Sequence, residues 1–138
     1  MTTATHARTR AIIEAYHQAW TGPDVASVRQ YIAEDFVTRA PVGSYDTREE
    51  YLAGLANFRD SFVTGVDMIA EFYGDDNAML LYDVQTNTPA GSIRTAEYFK
   101  LSGDKIASTT LVFDATAWRA MMAQQGKTVD AEGHVVDM

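Results

Sequence analysis

The chain is 138 residues long, 46% hydrophobic and 22% charged, which suits one domain whose core is large enough to enclose a cavity and leaves little room for a second. It has no cysteine, which excludes disulfide frameworks, thiol nucleophiles and Cys-ligated zinc or iron–sulfur centres. Nineteen acidic against eleven basic residues give a net charge of −8, which would repel a phosphate backbone, so no nucleic-acid partner is expected. The segment from Met1 to Arg10 is polar, with two arginines and no apolar run behind it. It predicts neither a signal peptide nor a membrane span, and hence a cytoplasmic protein.

Ile12, Ile13, Tyr16, Ala19 and Trp20 recur at three- and four-residue steps, which predicts an amphipathic helix over about 5–21. Gly22-Pro23 ends it, and Asp24 is expected to cap a second helix that buries Val25, Val28, Tyr31 and Ile32. A short strand near 35–39 and a turn at Pro41-Val42-Gly43 follow. Thr47-Arg48-Glu49-Glu50 has capping-box spacing and opens a third helix, with Tyr51, Leu52, Leu55, Phe58 and Phe62 at helical period to about residue 64. Beyond Gly65, turn-forming residues recur about every ten positions, which predicts an antiparallel meander with strands near 66–73, 78–86, 93–101 and 105–113. Asp114 is placed to cap a last helix over about 116–125, which carries Trp118, Met121 and Met122. The domain is taken as 1–126, and residues 127–138 read either as a short hairpin around Glu132-Gly133 or as a loose tail. Helices followed by a meander give an α+β class.

The run Tyr16-His17-Gln18-Ala19-Trp20, then Asp24, then Ala33-Glu34-Asp35-Phe36, then 97–106 (EYFKLSGDKI) and finally Phe113-Asp114, in that order and spacing, resembles the nuclear transport factor 2-like superfamily, in its SnoaL-like branch. The resemblance implies a cone-shaped, cystatin-like α+β fold, with N-terminal helices closing the concave face of a curved, mainly antiparallel sheet. It further implies an interior pocket, frequent homodimerisation, and functions spread over isomerases, polyketide cyclases, epoxide hydrolases and plain binding modules, so fold alone leaves function open. Similarity to ketosteroid isomerases assigns Tyr16 and Glu97 to the site, but places Ala40, before Pro41, where that pattern has its proton-shuttling aspartate. Similarity to limonene epoxide hydrolase keeps only Asp83, with Leu81 and Leu111 at the other two matching positions.

The residues themselves point to a carboxylate pair. If Asn87 stands opposite Ile93, Asp83 falls opposite Glu97 on one face of a hairpin. The odd positions Ile93, Thr95, Glu97, Phe99 and Leu101 are the better candidates for burial, so Glu97 points inward. Two acids in an apolar hollow cannot easily both ionise; one keeps a proton and serves as acid while the other serves as base. Tyr16 is the candidate oxyanion donor, and Trp20, Phe58, Leu81, Phe99 and Leu111 are candidate substrate-binding walls. The competing reading has the two acids face solvent, or one of them pair with Arg94, Arg39 or Arg59, and gives Tyr16 and Trp20 to ordinary core packing. His17 is an alternative pocket base. His6, His17 and His134 lack metal-ligand spacing, and no phosphate loop or nucleophile elbow is present, so neither metal nor cofactor is assigned.

These readings converge on cofactor-independent acid/base catalysis on a small apolar molecule: isomerisation, cyclisation or epoxide opening. The alternative is a non-catalytic binding or dimerisation module of the same fold. A homodimer is expected through the outer sheet face, formed by Tyr82, Val84, Tyr98 and Val112.

Overall fold

A computed structural model describes residues 2–138, with side chains from His6 onward. In chain order it contains α1 (Thr2–Thr21), a 3₁₀ helix (Val25–Tyr31), β1 (Ile32–Arg39), α2 (Arg48–Ser61), β2 (Val63–Tyr73), β3 (Asn77–Thr86), β4 (Ser92–Ser102), β5 (Lys105–Val112), α3 (Thr116–Ala123), β6 (Lys127–Val129) and β7 (Val135–Asp137). The first five strands form one sheet in the order β1-β5-β4-β3-β2, antiparallel except where β1 runs parallel to β5. Register shifts interrupt β2 twice and the β1–β5 and β4–β5 ladders once each. An extra residue on one strand bends it and increases its twist, which gives the sheet its curvature.

The helices lie on the concave side. Ile13, Tyr16 and Trp20 bring the α1 stripe onto Leu80, Tyr82, Val84 and Phe99 of the sheet, and Val28, Ile32, Phe36 and Tyr51 complete the core. α2 begins with the anticipated box: the Thr47 hydroxyl accepts the Glu50 N–H (3.2 Å) and donates to the Glu50 carboxylate (2.9 Å). It stops at Ser61 rather than near 64, because Val63 and Gly65 are drawn into the ladder opposite Thr86 and Gln85. β-branched residues favour that environment. Asp24 makes no side-chain cap; its backbone carbonyl instead accepts from the N–H and hydroxyl of Ser27, and a tighter 3₁₀ turn replaces the expected helix. Residues 127–138 form the hairpin rather than a loose tail, with Val129 opposite Val135.

The β3–β4 hairpin overturns the pairing expected from the sequence. Its connection closes earlier, at Gly91, whose φ of +64° lets its carbonyl turn back to accept the Thr86 N–H (3.1 Å) and hydroxyl (2.7 Å). Gln85 therefore stands opposite Ser92, Asp83 opposite Arg94, and Leu80 opposite Glu97. Side chains alternate faces along a strand, so Asp83 and Glu97 lie on opposite faces of the sheet. Burial agrees: Ala78, Leu80, Tyr82 and Val84 of β3 and Thr95, Glu97 and Phe99 of β4 are all buried. Tyr82 and Val84 thus face inward, not outward as a dimer surface would require, whereas Tyr98 and Val112 stay on the outer face with Leu81 and Met79.

Candidate functional site

Between the concave sheet face and the helices lies a cavity of about 410 Å³. Its floor is built by Tyr82, Val84, Thr95, Glu97 and Leu111, and its roof by Tyr16, Trp20, Tyr51, Leu55 and Phe58. Trp118, Met121 and Met122 of α3 close one end, with Trp118 edge-on to Phe58 (5.6 Å between ring centres) and Phe62 (5.2 Å).

Glu97 is the sole carboxylate among the described residues that line this space, and it is 2% exposed. The Tyr82 hydroxyl donates to its Oε1 (2.7 Å), and the Thr109 hydroxyl is a second hydrogen-bond partner. Thr109 is linked in turn to the Thr38 hydroxyl (2.7 Å). Burial pushes the Glu97 carboxyl up to about 7, with the Tyr82 and Thr109 hydrogen bonds pulling in the opposite direction. Removing the charged form from water is thus the dominant influence, and the group is poised to give or take a proton near neutrality.

The Tyr16 and Tyr51 hydroxyls hydrogen-bond to each other beside this acid. Burial raises both phenols above their ordinary range, and the Glu97 charge adds to that shift, so both keep their protons and act as donors. His17 does not line the cavity. Its Nδ1 accepts from Trp20 Nε1 (3.1 Å), its ring meets Tyr82 edge-on (5.2 Å), and burial lowers it to about 4, which makes it a neutral prop for two lining residues.

Of the candidate site residues, Tyr16, Trp20, Phe58, Glu97 and Leu111 line the one cavity. Three others do not. Asp83 is on the outer face in a two-pronged ion pair with Arg94 (2.9 and 3.0 Å), which holds its carboxyl below the usual range. Leu81 shares that face because it neighbours Asp83 at even spacing. Phe99 points inward but is fully buried against Tyr16 (5.7 Å, edge-on), filling the core beneath α1 instead of forming a cavity wall. Ala40 does line the cavity, so the position that the resemblance gives to a proton shuttle offers no acceptor. Asp114 accepts the Thr116 N–H (3.0 Å) and hydroxyl (2.7 Å) at the start of α3. Sequence reasoning missed Tyr51, Tyr82 and Thr109 as members of the site. For Tyr82 the signal was present in the apolar even positions Ala78, Leu80, Tyr82 and Val84.

Among the described residues no group of three or more His, Asp or Glu side chains is arranged to hold a metal ion, and no helix is long and apolar enough to cross a membrane.

This arrangement, helices over the concave face of a curved sheet, is the nuclear transport factor 2-like fold, and solved structures of that class align with it. A protein of Kribbella flavida DSM 17836 is 26% identical with a TM-score of 0.73, over 83% of this chain and 93% of that one. A protein of Sinorhizobium meliloti described as a candidate polyketide cyclase is 15% identical with a TM-score of 0.66, over 73% of this chain and 93% of that one. A candidate ketosteroid isomerase from the same Kribbella flavida strain is 13% identical with a TM-score of 0.69, over 78% of each chain. The profile of the SnoaL-like domain matches residues 13–109, and the chain belongs to that family. Comparison with curated proteins returns no match.

Proposed function

We propose that the protein is a cofactor-independent enzyme that moves a proton within a small apolar molecule, with Glu97 as its one acid/base group and, as donor to a developing oxyanion, whichever hydroxyl of the Tyr16–Tyr51 pair does not donate to the other. The observation that carries this reading is a single carboxyl, buried and poised near neutrality, on the floor of an aromatic cavity. One such group is sufficient for carbon chemistry next to a carbonyl. Glu97 as carboxylate takes a proton from the α-carbon, the carbonyl oxygen gathers the charge and accepts a phenolic hydrogen bond, and the proton returns at another carbon to complete an isomerisation. In a cyclisation the enolate carbon instead attacks an electrophilic centre of the same molecule. Epoxide opening is the less favoured branch, because protonating the ring oxygen while activating water calls for two groups, and Asp83 faces away from the cavity.

The alternative is a binding module with the same cavity and no turnover, which Ala40 favours by offering no second proton acceptor. A homodimer through the outer face belongs to the same proposal. Its surface would be the apolar band in which Phe72, Met79 and Tyr98 form one cross-strand row and Leu81, Ala96 and Val112 the next. Sedimentation of the purified protein decides that point.

The catalytic reading is tested by incubating wild type and Glu97→Gln with a panel of cyclic ketones in D₂O and following α-deuteration by mass spectrometry. Wild type is expected to accelerate exchange for at least one compound and the variant to lose that acceleration. Compounds that bind without exchange would replace the enzyme by the binding module.

A further inference from the structure

α3 and the β6–β7 hairpin lie beyond the residues matched by the family profile, which end at 109. They nonetheless build part of the cavity, and the hairpin itself contributes Lys127 and Val135 to the lining. The hairpin turn docks on the segment between β1 and α2. The N–H groups of Gly43 and Ser44 both donate to the Gly133 carbonyl (2.9 and 3.0 Å), and the Ser44 hydroxyl donates to the Glu132 carbonyl (2.6 Å). Gly133 is buried at a φ of +89°, and a Cβ there would collide with the Ala40 carbonyl, so only glycine allows so close an approach.

Beside this backbone contact, His134 spans the two segments. Its Nε2 lies 2.9 Å from Asp46 before α2, and its Nδ1 lies 3.0 Å from Asp130 in its own hairpin. Arg39 of β1 holds Asp46 from another side (2.9 Å), and Asp130 also accepts the backbone N–H groups of Glu132 and His134. An imidazole between two carboxylates is fully paired only when both ring nitrogens carry protons; the neutral ring has one N–H, and one contact loses its hydrogen. The imidazole hydrogen bond holds Asp46 below the ordinary carboxyl range, backbone N–H bonds from His134 and Glu132 do most of the same for Asp130, and the side-chain bonds to Asp46 and Asp130 raise His134. Both acids are therefore still ionised when the imidazole gains its proton, and the bridge is complete on the acid side of the His134 transition.

We infer that the β6–β7 hairpin is a gate that narrows the cavity, held down by the His134 bridge between Asp46 and Asp130, and that lifting it from the segment around Gly43 and Ser44 widens the way to Glu97 for apolar molecules. The gate concerns access alone and stands whether or not the cavity catalyses a reaction.

Two readouts test it on the full chain. The first is amide hydrogen exchange, expressed as protection relative to the free peptide. Gly43 and Ser44, whose N–H groups meet the Gly133 carbonyl, should be roughly tenfold better protected at about pH 5.5 than at about pH 8.5, the change expected for one charge-assisted hydrogen bond. In His134→Ala their protection should be low at both values, with β4 protection unchanged. The second is the association rate of N-phenyl-1-naphthylamine, a neutral fluorescent probe, measured by stopped flow in a Glu97→Gln background that removes the cavity's own titration. It should rise with pH in parallel with the loss of protection, and His134→Ala should be fast throughout. Unchanged Gly43 and Ser44 protection in His134→Ala, or a probe that associates at the unsubstituted rate or not at all, overturns the inference. If His134→Ala also loses β4 protection, Asp46→Asn is used for the same comparison. That substitution leaves the imidazole in place, and wild-type protection in it would be equally fatal.

Discussion

Asp83 and Glu97 sit on adjacent strands of one sheet, yet they inhabit opposite surroundings. Asp83 faces out, where Arg94 grips both carboxylate oxygens and holds the group ionised. Glu97 faces in, where a tyrosine and a threonine are its partners and burial lifts it to about 7. Residue type is nearly the same in the two places; what differs is access to water and the presence of a cation. A carboxyl pinned by an arginine on the surface has no proton to exchange near neutrality, whereas a carboxyl in an apolar hollow does.

The sharpest way to break this contrast is to neutralise each acid in turn. Glu97→Gln should reduce turnover by about a thousandfold, the usual scale for a general acid/base, while Asp83→Asn leaves it unchanged in the same exchange assay. Equal losses would erase the distinction. Next in size is the dependence of stability on pH. The unfolded chain releases the Glu97 proton near 4.5, but the folded protein keeps it to about 7. Stability from this group is therefore full below the unfolded value and is lost as pH rises through the folded one, by roughly 3 kcal/mol in total. Urea midpoints measured across that interval should fall for wild type relative to Glu97→Gln, and parallel curves would show Glu97 to be ordinary. Tyr82→Phe should act on the same group more gently. Without the phenol, the charged form of Glu97 loses a donor, so its transition moves further up and stability above neutrality drops by about 1–3 kcal/mol in the same urea series. The smallest effect belongs to the surface: the melting temperature of Asp83→Asn should stay close to wild type, because the Arg94 side of the pair is exposed and screened.

Much of the architecture was legible because local rules and tertiary packing agree. The Tyr16–Trp20 stripe does pack on the sheet, the Thr47–Glu50 box does start α2, and of the odd residues of β4 Thr95, Glu97 and Phe99 are buried, with Ile93 and Leu101 half-buried at the ends. The register of the β3–β4 hairpin differs from the expected one, although the apolar faces of the two strands already exclude the expected pairing. Ala78, Leu80, Tyr82 and Val84 mark the even face of β3 as apolar, just as Ile93, Phe99 and Leu101 mark the odd face of β4. If both faces are buried, an even residue must stand opposite an odd one, and Asp83 cannot meet Glu97. The decisive detail is the early closure at Gly91, a matter of turn geometry that strand periodicity does not encode. Tyr51 and Trp118 lay beyond sequence reasoning for a different reason: they reach the cavity from helices far apart in the chain, and only tertiary packing brings them together. The hairpin after α3 is not legible in the sequence because strands of three residues carry too little periodicity to separate them from a tail.

The most direct test of the account is a titration of the Glu97 carboxyl by ¹³C NMR, with Glu97→Gln used to assign its signal. A midpoint near 7 is the result predicted for a lone buried acid in an apolar cavity. A midpoint near the 4.5 of a solvated glutamate would contradict it.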